Sequence, residues 1–355
     1  YVSPSFTNTD PDYSTIQNAI NSLGSSYPNT PWGIYIYPGV YSESVTLKSN
    51  VSLIGAGIND VILKGTGSSP AITGPASDSG AGQCYICNIT IDGNGQSAIS
   101  FGNSGNQKTD FVIDVDVLTS SSPNSPALTI GNNQLVSCFG FTCRFAPTLF
   151  NNGIEVSGNG NLRMWQSTIN TNAECLLHYS SQYSEFYNCI LTSNGHTMDI
   201  TSGTVNIYNS QTVGGIIASG NTTKVKHVES FHDGTLGVEQ GAYMWISGMK
   251  WGEWVPNPSS GNIDIVFELS GTGSKIVVSN SRAGAQVASY VANVGNGCIL
   301  KAFNSEFNNL GSGATITGDN GVTVYLYYCA LNKNVTNVVL SSDSMGNNVF
   351  STNSE

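Results

Sequence analysis

Charge is what this 355-residue sequence has least of: Asp, Glu, Lys and Arg together make up 10% of it, against about 25% in an average globular chain. Twelve Lys and Arg stand against 23 Asp and Glu, a net charge of −11, and the basic residues form no cluster along the chain. Phosphate backbones are repelled by such a protein, which argues against nucleic acid as a partner. Long apolar runs are missing as well. The run from Phe111 to Leu118 already contains Asp114 and Asp116, and no stretch approaches the roughly 18 apolar residues of a membrane span. The chain starts at Tyr1 with neither Met nor a basic segment leading into an apolar one, as expected of a processed protein or an excised fragment. The eight Cys have the spacing of neither a disulfide framework nor a zinc knuckle, and Cys84-x-x-Cys87 has no second pair. They are expected as small apolar core residues. No metal or other cofactor is implied.

What is abundant is Gly, 40 residues of it, with much Asn, Ser and Thr. One short phrase recurs through the chain: an apolar or aromatic residue, then a small polar pair, then an alternating segment. It reads Cys87-Asn88-Ile89, Trp165-Gln166-Ser167, Tyr187-Asn188-Cys189, Tyr208-Asn209-Ser210, Ser279-Asn280-Ser281, Phe303-Asn304-Ser305 and Tyr328-Cys329. Gln166 to Asn188 is 22 residues, Asn188 to Asn209 is 21, and Asn280 to Asn304 is 24. Val115-Asp116-Val117, Cys143-Arg144-Phe145 and Val228-Glu229-Ser230 are weaker members. A period in the low twenties marks a solenoid. Between the phrases lie period-two runs such as Asn88-Ile-Thr-Ile-Asp92, Thr204-Val-Asn-Ile-Tyr208 and Lys275-Ile-Val-Val-Ser279, with Gly- and Asn-rich corners such as Ser157-Gly-Asn-Gly160. The pattern predicts an all-β fold, a single-stranded right-handed parallel β-helix, with inward Val, Ile, Leu, Cys and Asn stacked in ladders.

Helical spacing occurs once, where Ser14 or Asp12 caps a segment with Ile16, Ala19, Ile20 and Leu23 on one face, ending near Gly24. Such a helix plugs the open end of a solenoid. The expected organisation is a cap over residues 1–30, a β-helix over 31–340 with an irregular excursion around 231–262, and a tail or truncated linker over 341–355.

Residues 12 to 56 read D-Y-S-T-I-Q-N-A-I, then W-G-I-Y-I-Y-P-G-V-Y-S-E-S-V-T-L, then N-V-S-L-I-G-A-G. This resembles the N-terminal cap and first turns of pectin methylesterases and, more broadly, of the pectin-lyase-like β-helix superfamily. The resemblance implies the fold, and it is shared by esterases, lyases and non-catalytic β-helices, viral spikes and capsid-associated proteins among them. Pectin methylesterases use two Asp, one as nucleophile and one as general acid. Phe231-His-Asp233-Gly-Thr-Leu236 echoes the family's Q-D-T-L segment, and Gly261-Asn-Ile-Asp264-Ile-Val-Phe267 echoes its V-D-F-I-F-G segment. The resemblance thus implies Asp233 and Asp264 as a catalytic pair. His232 stands where the family has Gln, and its L-G-R-P-W segment has no counterpart here. A lyase is disfavoured, because three Arg and nine Lys scattered over the chain do not assemble a basic cleft.

Three further constellations stand out. His227-x-Glu229-x-x-His232-Asp233 contains metal-binding residue types, with 227 and 229 expected on one strand face and the rest brought round only by a corner; the alternative is a polar outer corner. Trp245, Trp251, Glu253 and Trp254 form an aromatic cluster suited to stacking on sugar rings and accepting hydrogen bonds from hydroxyls, or else to packing a loop onto the coil. Glu174, Glu185 and Asp199 fall on neighbouring turns beside Tyr179, Tyr183 and Tyr187, where glycosidases of this fold place carboxylates, Glu185 being the main candidate.

Scarce charge, a long coil and eroded catalytic motifs favour a non-catalytic structural or receptor- or glycan-binding β-helix, extracellular or on a virion surface as a spike or capsid-associated module. Its expected partners are a glycan or other surface and shell proteins, with assembly as a homotrimer. The alternative is a carbohydrate-active enzyme, an esterase or glycosidase acting on a polysaccharide.

Overall fold

The structure, a computed structural model, describes residues 13–23, 31–75, 83–102, 108–119, 125–145, 152–250, 265–285, 290–310, 313–319, 322–332, 335–336, 338–340 and 349–350. The chain forms two compact units, residues 1–184 and 185–355. Each is a parallel β-solenoid built from short strands, and one short helix is present among the described residues.

In the first unit the inward residues of successive strands stack as Ile34, Leu53, Ile86, Val112, Cys138 and Met164, each opposite the next and all buried. In the second unit the equivalent column reads Ile207, His227, Ile246, Val278, Ala302 and Leu326. Alternation alone places them there, because every second side chain of a strand points to one face. Each column removes a continuous apolar strip from water, at roughly 25 cal/mol per Å² buried. The outward positions stack too. Tyr85 with Phe111, Phe139 with Trp165, Tyr187 with Tyr208 and Phe303 with Tyr327 lie ring on ring at 4.6–4.9 Å, since the spacing between paired strands is also that of stacked aromatic rings. Seven of the eight Cys are buried and Cys87 is half-buried.

The recurring phrase is the corner of each turn. Its middle residue adopts the left-handed conformation at Asn88 and Gln166 in the first unit, and at Asn188, Asn209, Glu229, Asn280, Asn304 and Tyr328 in the second. Asn tolerates positive φ better than other residues with a side chain. The corner Asn at 188, 209, 280 and 304 are exposed rather than stacked inside. That corrects the expectation of inward Asn: the positive-φ residue breaks the alternation and turns its side chain out.

After each of these corners except Asn88, where Ile89 follows, the next residue is a buried Ser or Cys, and in the second unit it bridges turns. Ser210 Oγ donates to Tyr208 O at 2.8 Å and accepts from Cys189 N at 3.0 Å. Ser230 Oγ donates to Val228 O and accepts from Ser210 N; Ser281 and Ser305 repeat the pattern. Strand pairing is interrupted at the corner, and this hydroxyl satisfies the backbone groups left over there. Ser210→Ala is expected to cost about 1–3 kcal/mol by leaving buried backbone groups unpaired. Ser210→Cys should cost less, because Cys189 and Cys329 hold the same station with Sγ 3.4 Å from the carbonyl two residues before. Urea-unfolding midpoints of the two variants check this, and an Ala midpoint equal to the parent's would remove the role.

The helix runs Ile16–Ser22 and buries Ile16, Ala19 and Ile20. Its cap is Thr15, whose side chain accepts from Asn18 N, not Ser14; Asp12 lies outside the described residues. The Glu43 carboxylate takes the next free donors, Ile16 N at 2.7 Å and Gln17 N at 2.9 Å, which is where a negative charge is most favourable on a helix. The Gln17 amide pairs with the backbone of Thr46, so the helix is tied to the first turns by hydrogen bonds as well as by its apolar face. Of the interval expected to leave the coil, Phe231–Glu239 and Tyr243–Ser247 are strands in register with their neighbours. Residues 251–264 lie outside the described residues.

Candidate functional site

The exposed corners of the second unit line a furrow. Three adjoining depressions share residues. One is lined by Asn188, Asn209, Glu229 and Lys250, the next by Asn209, Glu229, Lys250, Asn280 and Arg282, and the third by Asn280, Arg282, Asn304, Glu306 and Tyr328. The furrow therefore follows from the corner phrase, repeated turn upon turn. Gly248 replaces a side chain at one corner, and an added Cβ there would lie 3.2 Å from Glu229 Cγ, so its absence leaves room for the Glu229 stem. Asn304 Nδ2 donates to Asn280 Oδ1 at 2.9 Å. Arg282 Nε lies 3.1 Å from Glu306 Oε2 on the paired strand, a partly exposed contact that orients the guanidinium more than it stabilises the fold. Amides and charges of both signs thus face a common groove, a set able to give and take hydrogen bonds from hydroxyl groups.

The two His of the suspected metal constellation sit elsewhere. His227 occupies the inward column between Ile207 and Ile246, and His232 is likewise fully buried. Glu229 does not share the face of His227, because its positive φ reverses the alternation at the corner. Their rings stand edge to face at 5.7 Å, and Thr212 Oγ1 lies 2.7 Å from His232 Nδ1 and 3.4 Å from His227 Nε2. Burial pushes His227 down to about 4 and His232 well below its usual value, so both are neutral at pH 7. Among the described residues no three His, Cys, Asp or Glu side chains gather as a metal site.

Asp233 is half-buried, opposite Val213 on the neighbouring strand and directly before the bend at Gly234. Its expected partner Asp264 lies outside the described residues, as do Trp251, Glu253 and Trp254. Glu185 is half-buried on the strand Tyr183–Tyr187. Asp199 lies on a different strand, Ile190–Ile200, and burial holds its carboxyl above the usual range. Glu174 belongs to the other unit. Asp199 shares an outward column with Ile217, Gly237 and Glu268, which sets the two residues three strands apart, about 14 Å between their backbones. Glu268 is instead engaged by Tyr290, whose hydroxyl donates to it at 2.5 Å. Trp245 points outward with the Lys226 ammonium 4.8 Å above its ring. The furrow and that lysine were not foreseen; the corner phrase is the sequence signal that would have located the furrow.

No family model matches the chain, and no curated protein matches it. Among solved structures, the catalytic domain of a GH87 α-1,3-glucanase in complex with tetrasaccharides is similar at 13% identity over 94% of this chain and 67% of that one, with a TM-score of 0.51. The family 28 exopolygalacturonase of Yersinia enterocolitica is similar at 12% identity over 95% and 76%, with a TM-score of 0.48. Pectin methylesterase from carrot is similar at 13% over 74% and 80%, with a TM-score of 0.28. At such identities the likeness shows the fold alone: this chain is a parallel β-solenoid.

Proposed function

We propose that this protein is a carbohydrate-active β-helix that takes a polysaccharide along the furrow of its second unit. The observation that carries the reading is the furrow itself, a continuous groove of Asn, Glu, Lys and Arg side chains running across successive turns. A linear polymer of hydroxylated units is the ligand whose repeat such a groove can follow. The solved structure with tetrasaccharides bound to a similar fold supports a sugar ligand. Catalysis is assigned to Asp233 with Asp264, or to Glu185. The rival reading is a non-catalytic structural or receptor-binding module that uses the same furrow for docking.

Two measurements on the full chain test this. In affinity electrophoresis through gels containing α-1,3-glucan, methylated pectin or dextran, the parent protein is expected to be retarded by at least one of them. An Asn280→Ala/Arg282→Ala variant should lose about tenfold in affinity. No retardation by any polysaccharide would overturn the proposal. Release of methanol or new reducing ends, abolished by Asp233→Asn or Glu185→Gln, would place the chemistry. Binding without release would leave the non-catalytic reading in its place.

A further inference from the structure

Six Asn-Gly pairs occur in the chain, beginning at Asn94, Asn152, Asn159, Asn194, Asn296 and Asn320. Turns favour the pair, because Gly supplies the positive φ they need. The same dipeptide cyclises most readily, since a glycine nitrogen has no side chain to shield it and can attack the side-chain carbonyl carbon of the Asn before it. Folding decides which pairs are able to react. A hydrogen bond on the attacking nitrogen or on the departing amide must open first, which slows the step by about tenfold or more.

Four of the pairs are held. Gly153 N donates to Glu174 O at 2.8 Å, and Gly160 N donates to Ser157 O at 3.0 Å. The Asn159 side chain is fixed as well, donating to Asn133 Oδ1 at 2.7 Å and accepting from Asn133 N at 2.8 Å. Asn94 Nδ2 donates to Gly65 O at 3.0 Å. Asn194-Gly195 lies within the strand Ile190–Ile200, between register pairs of Thr192 with Val213 and His196 with Gly215, so ring closure there has to pull against the sheet. Asn320 lies outside the described residues. Asn296-Gly297 differs from all of these. It forms the middle of a turn closed by Cys298 N, which donates to Gly295 O at 3.2 Å, with Gly297 at φ +75° and Asn296 exposed. Among the described residues, neither the Asn296 side-chain amide nor Gly297 N makes a hydrogen bond.

We propose that Asn296 is the site, among the described pairs, at which this protein deamidates, and that the change loosens the corner stack of its second unit. The Gly297 nitrogen gives its proton to hydroxide and bonds to Asn296 Cγ; the Cγ–Nδ2 bond breaks, and Nδ2 takes a proton from water and leaves as ammonia. Water then opens the five-membered imide at either carbon-nitrogen bond, giving aspartate or, with the main chain rerouted through Cγ, isoaspartate. The net exchange is one amide and one water for one carboxylic acid and one ammonia, with nothing oxidised or reduced. The turn sits between two others: Asn296 N donates to Asp319 Oδ2 at 2.6 Å on the following corner, and Gly297 O accepts from Gly273 N at 2.9 Å on the preceding one. The product places a second carboxylate beside that of Asp319, where like charges repel. Isoaspartate also lengthens the turn by one backbone atom, which works against the bond from Gly273. None of this depends on the carbohydrate reading.

Incubation of the full chain at pH 9 and 37 °C in water enriched in oxygen-18, followed by peptide mass mapping, tests it. Asn296 should convert and take up the label at about tenfold or more the rate of Asn94, Asn152, Asn159 and Asn194, with isoaspartate detected by isoaspartyl methyltransferase labelling. In urea, where folding holds none of them, the five should convert at similar rates. Asn296→Gln, which would have to close a larger ring, should remove the early conversion, and the aged parent should unfold at a lower urea concentration than the aged Gln variant. Asn296→Asp, which supplies the charge without the extra backbone atom, should lower the midpoint in part. Conversion of any of the other four ahead of Asn296, or the same lead for Asn296 in urea as in buffer, would overturn the assignment to the fold. Equal midpoints for the aged parent and the aged Gln variant would overturn the loosening.

Discussion

Acidification from pH 7 to about pH 4 is expected to take roughly 3 kcal/mol from the stability of the second unit through His227 alone. The side chain is held neutral in the folded state down to about pH 4, where burial among Ile207, Ile246 and Thr212 has moved it from an ordinary value of 6.5. The unfolded chain binds the proton first. Stability is therefore complete above pH 6.5 and is lost progressively as the pH falls towards 4, at about 1.4 kcal/mol per pH unit for each such group. His232 acts in the same direction, pushed down by its own burial and then by the neighbouring His227. Asp199, whose carboxyl is held above its usual range by burial, opposes the trend. The test is accordingly a difference. A His227→Leu/His232→Leu variant should lose at least about 3 kcal/mol less than the parent between pH 7 and pH 4.5 in urea titrations, the share of His232 adding to that of His227. A His227→Gln variant should lie between them. Parallel pH profiles for the parent and both variants would sink this account.

Gly234→Ala is expected to be at least as damaging, at about 3 kcal/mol or more. The strands Gln211–Ser219 and Phe231–Glu239 are long because each bends midway, at Gly214 with φ +112° and at Gly234 with φ +138°. L side chains rarely adopt such angles, and the strain is worth about 1–3 kcal/mol. A Cβ on Gly234 would also lie 2.5 Å from Gly214 O and 2.7 Å from Gly214 C, backbone atoms that cannot swing aside. Overpacking of that kind adds about 1–3 kcal/mol. Gly95 supplies the comparison. Its φ is +89° but no atom lies within 4 Å of an added Cβ, so Gly95→Ala should show the conformational cost alone, about 1–2 kcal/mol. Similar midpoint shifts for the two variants would mean that the bend at 234 yields to the extra atom, and the close approach would carry no weight.

Much of this architecture was written in local patterns. The period-two runs and the single 3-4 spaced segment at Ile16, Ala19 and Ile20 each act within a few residues, and the structure keeps them; of the recurring phrase it keeps the members with a corner residue, whereas those centred on Asp116 and Arg144 lie inside strands next to corners at Asp114 and Gly140. The choice of helix cap was not legible, because Asp12, Ser14 and Thr15 are all able to cap; Thr15 is the one the Glu43 carboxylate and the first turns leave in position. The faces of His227 and Glu229 were misjudged for a different reason. Alternation holds only while φ stays negative, and Glu229 is a corner residue at +47°.

By itself, then, the sequence determined a solenoid of short strands, its corner phrase and its end cap, since those follow from periodicity and turn chemistry. Tertiary structure alone decided what meets on the surface and in the core. Lys226 and Trp245 are neighbours, as are His227 and His232 across Thr212, because the lengths of the intervening turns set the register between strands. A shift of one residue in that register would move every one of these side chains to the opposite face, and only the packed coil, by burying one face of each strand, selects among the alternatives.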